Sequence, residues 1–166
     1  MEKNKEELRF EFGENWTEFE NSGVGAREIK DAEKTLRHWI GLKDLSGKTF
    51  LDIGNGSGLF SLAAWEMGAE KVHSFDYDEK CVECAKHMQE RAERPQTEQW
   101  SVEHGDVLNP NYMKQFYNQY DIVYSWGVLH HTGNMKGALE QAGKCVKENG
   151  LLFISIYNDQ GNRSRI

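Results

Sequence analysis

The sequence contains little proline or cysteine and no long apolar run. Because a membrane-spanning helix needs about 20 consecutive apolar residues, the sequence predicts a soluble globular protein. The opening stretch MEKNKEELRF is charged where a secretory signal would be apolar, so we expect no export. Three unevenly spaced cysteines make a poor disulfide framework, which favours the reducing cytoplasm.

Positive charge is also in short supply. Lys and Arg number 20 against 27 Asp and Glu, which gives a net charge of −7. A nucleic-acid backbone is normally bound by clustered Lys and Arg, so this balance disfavours nucleic acid and favours a small-molecule partner.

At 166 residues the chain is long enough for one compact core and too short for two ordinary domains. We therefore predict a single domain with no membrane partner.

The composition changes near the N-terminus. Residues 1–26 are charged with scattered aromatics and end in SGVGA, which predicts an arm joined flexibly to a core domain at 27–166. From Arg27 onward, apolar residues recur at the spacing of an amphipathic helix that Gly41 can end. These apolar residues are Ile29, Ala32, Leu36, Trp39 and Ile40.

Strand and helix patterns then alternate along the chain. The predicted strands are 48–53, 71–75, 99–103, 121–125 and 151–157. The predicted helices are 57–67, 78–91, 110–117 and 134–146, with a turn at Asn149 and Gly150 before the last strand. Such alternation implies right-handed crossovers, so we predict an α/β fold with a mainly parallel sheet of about five strands and helices on both faces. Ligands bind such sheets beyond the carboxyl ends of the strands.

The motif LDIGNGSG lies at the end of the first predicted strand. Gly54, Gly56 and Gly58 would let a ligand approach the main chain and leave amides free at the start of the next helix. The dinucleotide pattern needs a further glycine where this chain has Leu59, and Asp52 would repel a diphosphate. We therefore expect a cationic ligand without phosphate, such as S-adenosyl-L-methionine.

Two more carboxylates follow the second and third predicted strands. Asp76 is placed to accept hydrogen bonds from both ribose hydroxyls. Asp106 is placed to accept from the exocyclic amine of adenine, with the backbone amide of Val107 beside it. Together with Asp52 and the glycine loop, they outline one adenosyl amino acid lying across the sheet.

Over residues 27–157 these motifs resemble the Rossmann-like (class I) S-adenosyl-L-methionine-dependent methyltransferases. The resemblance implies a Rossmann-like three-layer sandwich in which Asp52 and the glycines hold the methionine part, Asp76 the ribose and Asp106 the adenine. It also implies S-adenosyl-L-homocysteine as the product. Further cofactor contacts implied by the resemblance are Asn55, where many members have cysteine, Tyr77, Ser125 and Trp126.

Two segments, RFEFGENW and SIYNDQG, are similar to segments in a bacterial subgroup of this family. The first contains Phe12 and Trp16, which either fold over the cofactor as a lid or anchor the arm as surface aromatics. The second contains residues 158–160, which either orient the substrate or form an ordinary turn.

A methyl acceptor with a high pKa needs a base as well as alignment with the methyl group. His130 and His131 follow the fourth predicted strand, and histidine titrates near neutral pH. One of them, preferably His130, could take a proton from an oxygen or nitrogen of a small-molecule acceptor. Alternatively, both imidazoles hydrogen-bond to the loop backbone and fix its shape.

The family's sheet usually continues beyond the fifth strand with an antiparallel strand pair, which we expect to be missing from this sequence, through truncation or as a reduced natural variant. An uncovered strand edge tends to pair with another chain, which predicts a homodimer through the fifth strand or another cover for its edge. It also favours a second function, a cofactor-binding fragment or pseudoenzyme without turnover. A third possible function is that of an NAD or nucleotide-sugar enzyme, but Leu59 and Asp52 argue against it.

Cys81 and Cys84 form C-x-x-C without a second pair, so we expect no metal.

Overall fold

The computed structural model describes residues 25–95 and 97–157. The strands are β1 Thr49–Ile53, β2 Lys71–Asp76, β3 Trp100–His104, β4 Tyr120–Trp126 and β5 Val146–Ser155. The helices are α1 Ala26–Ile40, α2 Leu59–Glu66, α3 Glu79–Glu90, α4 Pro110–Met113 and α5 Met135–Lys144. Short 3₁₀ turns occupy Thr97–Gln99, Lys114–Phe116 and Leu129–His131.

All five strands of the described sheet are parallel, in the order β3-β2-β1-β4-β5. The chain winds outward from β1 to β3 and then returns to pair β4 on the other side of β1. This reversal opens a crevice at the carboxyl ends of β1 and β4, where ligands of such sheets bind. The predicted α/β class and parallel sheet are confirmed.

Capping residues account for several helix ends. The Asp78 side chain accepts from the amide of Lys80 at the start of α3. The Asn109 side chain accepts from two amides at the start of α4, and proline occupies the first helical position. Gly41 ends α1 with a left-handed φ of 69°.

Two predicted boundaries were wrong. The helix predicted to reach Tyr117 leaves the α conformation at Met113 and continues as a 3₁₀ turn. The last strand begins at Val146 instead of Leu151, so the predicted turn at Asn149 and Gly150 lies inside β5. Tyr120 pairs with Val146, and Ile122 pairs with Leu151. Between these two pairs the chain advances five residues along β5 but only two along β4. The extra residues form a bulge, and Asn149 takes a positive φ of 63° within it.

Two apolar cores flank the sheet. One lies against α1 and α2 and contains Leu36 and Trp65, both fully buried. The other lies against α4 and α5 and contains Phe116 and Ala138. The two cores place helices on both faces, as expected for a three-layer sandwich.

Within residues 25–95 and 97–157, every helix lacks the length and apolar character of a bilayer-spanning segment. The predicted arm at 1–26 lies outside the described residues except for its last two positions. Phe12, Trp16 and residues 158–160 also lie outside them, so their predicted roles stay predictions.

Candidate functional site

A cavity of about 550 Å³ lies at the carboxyl ends of β1 to β4. Its wall contains four carboxylates, Asp52, Asp76, Asp78 and Asp106, and no Lys or Arg among the described residues. The predicted site residues on this wall are Asp52, Gly54, Asn55, Gly56, Asp76, Tyr77, Asp106, Val107, Trp126 and His131. The cavity is therefore acidic and favours a ligand that carries positive charge.

Three predicted residues do not line the cavity. The buried Ser125 hydroxyl donates to the carbonyl of Ile53 at 2.8 Å and so ties β4 to β1. Gly58 lies at the start of α2, and the His130 ring contacts His131 with 4.0 Å between ring centroids. These residues support the site from outside its wall.

The three loop glycines all have positive φ, between 53° and 79°. A Cβ on Gly54 would lie 2.5 Å from the Val128 side chain. One on Gly58 would lie 2.8 Å from the Cα of Ala85 on α3. At these two positions glycine is therefore required by the protein's own packing, where the sequence suggested close approach of a ligand.

Asp52 stands on β1 at the floor of the cavity and is only 2% exposed. Its carboxylate accepts a hydrogen bond of 2.5 Å from the Ser61 hydroxyl of α2. Burial raises the pKa of Asp52 to about 7, against the lowering effect of Ser61, and the nearby charge of Asp76 adds to the rise. A cation bound beside Asp52 would favour the ionised carboxylate.

The other two carboxylates are held by backbone amides. Asp76 accepts from the amides of Gly56 and Asp78, each at 3.0 Å, so it braces the glycine loop. Burial raises the pKa of Asp76 although these amides lower it. Asp106 accepts from the amide of Leu108 at 2.8 Å in a tight turn after β3. Both carboxylates are therefore fixed in orientation before any ligand arrives.

Two buried polar side chains on the wall have no hydrogen-bond partner among the described residues. They are Asn55, through both its amide oxygen and nitrogen, and Tyr124, through its hydroxyl. Burial raises the pKa of Tyr124 far above its usual range, and the charge of Asp52 adds to this, so the hydroxyl stays a donor. Buried polar groups are normally paired, which indicates that the cavity takes a polar ligand.

Tyr124 was missed by the sequence analysis. It pairs with Asp52 in the register of β4 and β1, and this pairing places both side chains on the same face of the sheet. Strands buried on both faces show no polar alternation, so the sequence carried no signal for the direction of Tyr124.

Aromatic rings form one side of the cavity mouth. Trp126 is 44% exposed and stacks on Trp39 of α1 with ring centroids 4.1 Å apart and planes 7° apart. Phe60 and Tyr157 also line the wall. Stacking on Trp39, which the sequence analysis did not connect with the site, fixes the Trp126 ring.

The two histidines lie close to Tyr157, with ring centroids 4.4 Å away for His130 and 5.4 Å for His131. Burial, and then the neighbouring His131, lower the pKa of His130. Burial alone lowers the pKa of His131. Both imidazoles are therefore neutral at pH 7, and His131 is the one that reaches the wall.

Cys81 and Cys84 are buried on α3 and are not joined in a disulfide, and Cys81 lies on the wall beside Asp76. Burial raises the pKa of Cys81 well above its usual range, and the charges of Asp76 and Asp78 raise it further. The thiol is therefore protonated and acts as a small apolar surface.

The sequence profile described as a methyltransferase domain matches residues 26–166. The chain belongs to the methyltransferase domain family. This membership and the related structures confirm the predicted Rossmann-like class I family and its cofactor, S-adenosyl-L-methionine.

Curated relatives of this methyltransferase domain include ribosomal protein L11 methyltransferases. The protein from Photobacterium profundum is 42% identical over 53 residues, which cover 32% of this chain and 18% of the relative. The protein from Vibrio parahaemolyticus is 45% identical over 53 residues, which again cover 32% of this chain and 18% of the relative. The matched part is thus about a fifth of the length of these relatives.

Solved structures share the fold of the domain. A Methanococcus maripaludis protein assigned to the S-adenosyl-L-methionine-dependent methyltransferases has a TM-score of 0.68 at 20% identity, over 94% of this chain and 67% of that chain. A Mesorhizobium loti S-adenosylmethionine-dependent methyltransferase has a TM-score of 0.57 at 25% identity. The match covers 74% of this chain and 52% of that chain. The [4+2]-cyclase SpnF has a TM-score of 0.63 at 17% identity. The match covers 78% of this chain and 47% of that chain.

Proposed function

We propose that the protein transfers the methyl group of S-adenosyl-L-methionine to an oxygen or nitrogen of a small molecule. The observation that carries the proposal is the acidic cavity at the switch point of the sheet, with carboxylates from β1, β2 and β3 on its wall. A diphosphate would be repelled by these groups, whereas an ammonium and a sulfonium would be attracted. When bound, the cofactor supplies an activated methyl group.

The residues of the wall fit this cofactor. Asp52 would take the ammonium, Asp76 the ribose hydroxyls and Asp106 the adenine amine. The unpaired donors of Asn55 and Tyr124 would face the amino-acid carboxylate, which finds no Lys or Arg on the described wall. The amide nitrogen of Asn55 and the hydroxyl of Tyr124 would then gain an acceptor.

Alignment would be the main contribution of the protein to catalysis. The ring of Trp126, held by Trp39, would restrict the acceptor at the cavity mouth and exclude water. The neutral His131 would accept a proton from the acceptor, and its ring contacts those of His130 and Tyr157. His131 is preferred over His130 because it lines the cavity.

A cofactor-binding role without turnover is the second candidate. The matched part of the chain spans about a fifth of its curated relatives, and this fold also serves a [4+2]-cyclase. The L11 relatives carry the name of a protein substrate, so a protein is the alternative methyl acceptor to a small molecule.

The predicted homodimer also stays a prediction, based on β5 at the edge of the described sheet.

Titration calorimetry with S-adenosyl-L-methionine, S-adenosyl-L-homocysteine and NAD tests the proposal. We expect both adenosyl amino acids to bind and NAD to give no heat. Asp76→Ala should weaken binding by about 1 to 3 kcal/mol, since hydrogen bonds to a charged group are lost. Binding of NAD with no response to the adenosyl amino acids would reverse the assignment. Detection of a methylated product separates catalysis from binding alone.

A further inference from the structure

A chain of buried hydrogen bonds runs from Asp52 through the layer between α2 and the sheet. The Ser61 hydroxyl donates to Oδ2 of Asp52 at 2.5 Å. The Ser74 hydroxyl of β2 donates to Oγ of Ser61 at 2.8 Å, and Nε1 of Trp100 on β3 donates to Oγ of Ser74 at 2.9 Å. We call Trp100, Ser74 and Ser61 the donor chain.

The direction of the donor chain is fixed by its first member. An indole N–H can only donate, so Oγ of Ser74 accepts from Trp100, and the Ser74 hydroxyl donates to Ser61. Ser61 in turn donates to Asp52. With Ser61 as donor to Oδ2, a proton or a cation is directed to the other oxygen, Oδ1.

The surroundings make these bonds strong. Ser61 and Ser74 are fully buried, and Asp52 and Trp100 are each 2% exposed. Ser61 lies in a helix whose neighbours Leu62, Ala63 and Ala64 are all buried and apolar. Water cannot replace a lost donor in such a layer, so each bond counts for more than it would at the surface.

The sheet register explains how the chain reaches Asp52. Ser74 pairs with Asp52 across β2 and β1, and Asp52 pairs with Tyr124 across β1 and β4. All three side chains thus share one face of the sheet, where α2 adds Ser61 from above. No polar group of the donor chain lines the cavity itself.

We propose that Trp100, Ser74 and Ser61 are positioning residues that hold Oδ2 of Asp52, so that the cofactor's ammonium and a proton compete for Oδ1 alone. This inference rests on the proposed function, because it assigns the ammonium of the amino-acid end to Asp52. The donor chain does not touch the ligand and acts only through Asp52.

The test uses Ser61→Ala and Trp100→Phe, with Trp65→Phe as the matched control. Trp65 is also buried and donates through Nε1, but to the carbonyl of Arg94, outside the donor chain. Two measurements are made on each variant: the titration of Asp52 by carboxyl NMR without ligand, and the affinity for S-adenosyl-L-homocysteine from pH 5.5 to 8.5, a window of about three units around neutrality.

Ser61→Ala should raise the titration midpoint of Asp52 and weaken binding at pH 7 roughly tenfold, as expected for a lost hydrogen bond to a charged group. Trp100→Phe should also raise the midpoint and should weaken binding at pH 7 by about two- to fivefold, because it removes a donor that acts on Asp52 only through Ser74 and Ser61. Trp65→Phe should move neither quantity. If Ser61→Ala does not fold, Trp100→Phe carries the test.

An unchanged Asp52 midpoint in Ser61→Ala and Trp100→Phe would overturn the positioning role while leaving cofactor binding intact. Equal shifts in Trp65→Phe would also overturn it, since they would show a general packing effect. If the unaltered protein binds no adenosyl amino acid, the proposed function fails. The ligand-free titration still decides whether the donor chain acts on Asp52.

Discussion

At the scale of single residues, we expect Asp52 to couple ligand binding to pH. Burial first of all, and the charge of Asp76, raise the pKa of this carboxyl to about 7 although Ser61 lowers it. Binding of an ammonium favours the ionised form, so the pKa falls in the complex and a proton is released. Affinity for S-adenosyl-L-homocysteine should therefore rise with pH up to about 7 and level off above it.

Below pH 7 the affinity should fall by up to about tenfold for each unit, since one pKa unit corresponds to 1.36 kcal/mol. Calorimetry in buffers of different ionisation enthalpy measures both the affinity and the proton release. Asp52→Asn should bind weakly with little dependence on pH in this range. Constant affinity of the unaltered protein between pH 5.5 and 7 would contradict the role given to Asp52.

The residues that sequence reasoning found and those it missed differ in a physical way. Asp52 and Asp76 lie at the carboxyl ends of β1 and β2, and Asp106 follows β3, so their common placement follows from the order of elements alone. Tyr124 and Ser74 lie inside strands that are buried on both faces. Their side chains join the site only through the register with β1, which the sequence of one chain does not reveal.

At the scale of elements, Asp121 ties together the amino ends of three strands. It lies at the start of β4, and its carboxylate accepts from the amide and hydroxyl of Thr49 on β1 and from Lys147 on β5, all at 2.8 to 2.9 Å. Burial alone would raise the pKa of Asp121, but these hydrogen bonds lower it to about 2. This site lies at the opposite ends of the strands from the cavity.

Since the folded-state pKa of Asp121 lies below its unfolded value, its stabilisation is present above about pH 4 and is lost as the pH falls toward about 2. Asp121→Asn should lower the free energy of unfolding by about 1 to 3 kcal/mol at pH 7. Urea denaturation should show this difference shrinking at pH 3. A difference that is as large at pH 3 as at pH 7 would show that the carboxylate's charge is not responsible.

The same elements show why boundaries are harder to predict than element types. The pattern of β5 correctly indicated a strand, but Asn149 and Gly150 were interpreted as a turn before it. They form a bulge because the chain ahead of them already pairs with Tyr120 of β4. A turn signal describes the local backbone and does not reveal the pairing on either side.

At the scale of the whole molecule, the order β3-β2-β1-β4-β5 places the cavity and the carboxylates at the same edge of the sheet. The fold sets where a ligand binds, while the side chains on the wall set which ligand it is. Here four carboxylates without a Lys or Arg on the described wall select for positive charge.

A crystal structure of the protein with S-adenosyl-L-homocysteine tests this claim most directly. We predict the ammonium at Oδ1 of Asp52, the ribose hydroxyls at Asp76 and the adenine amine at Asp106. A ligand bound away from these three carboxylates, or a parallel NAD soak that shows diphosphate density over Gly54 and Gly56, would contradict the account.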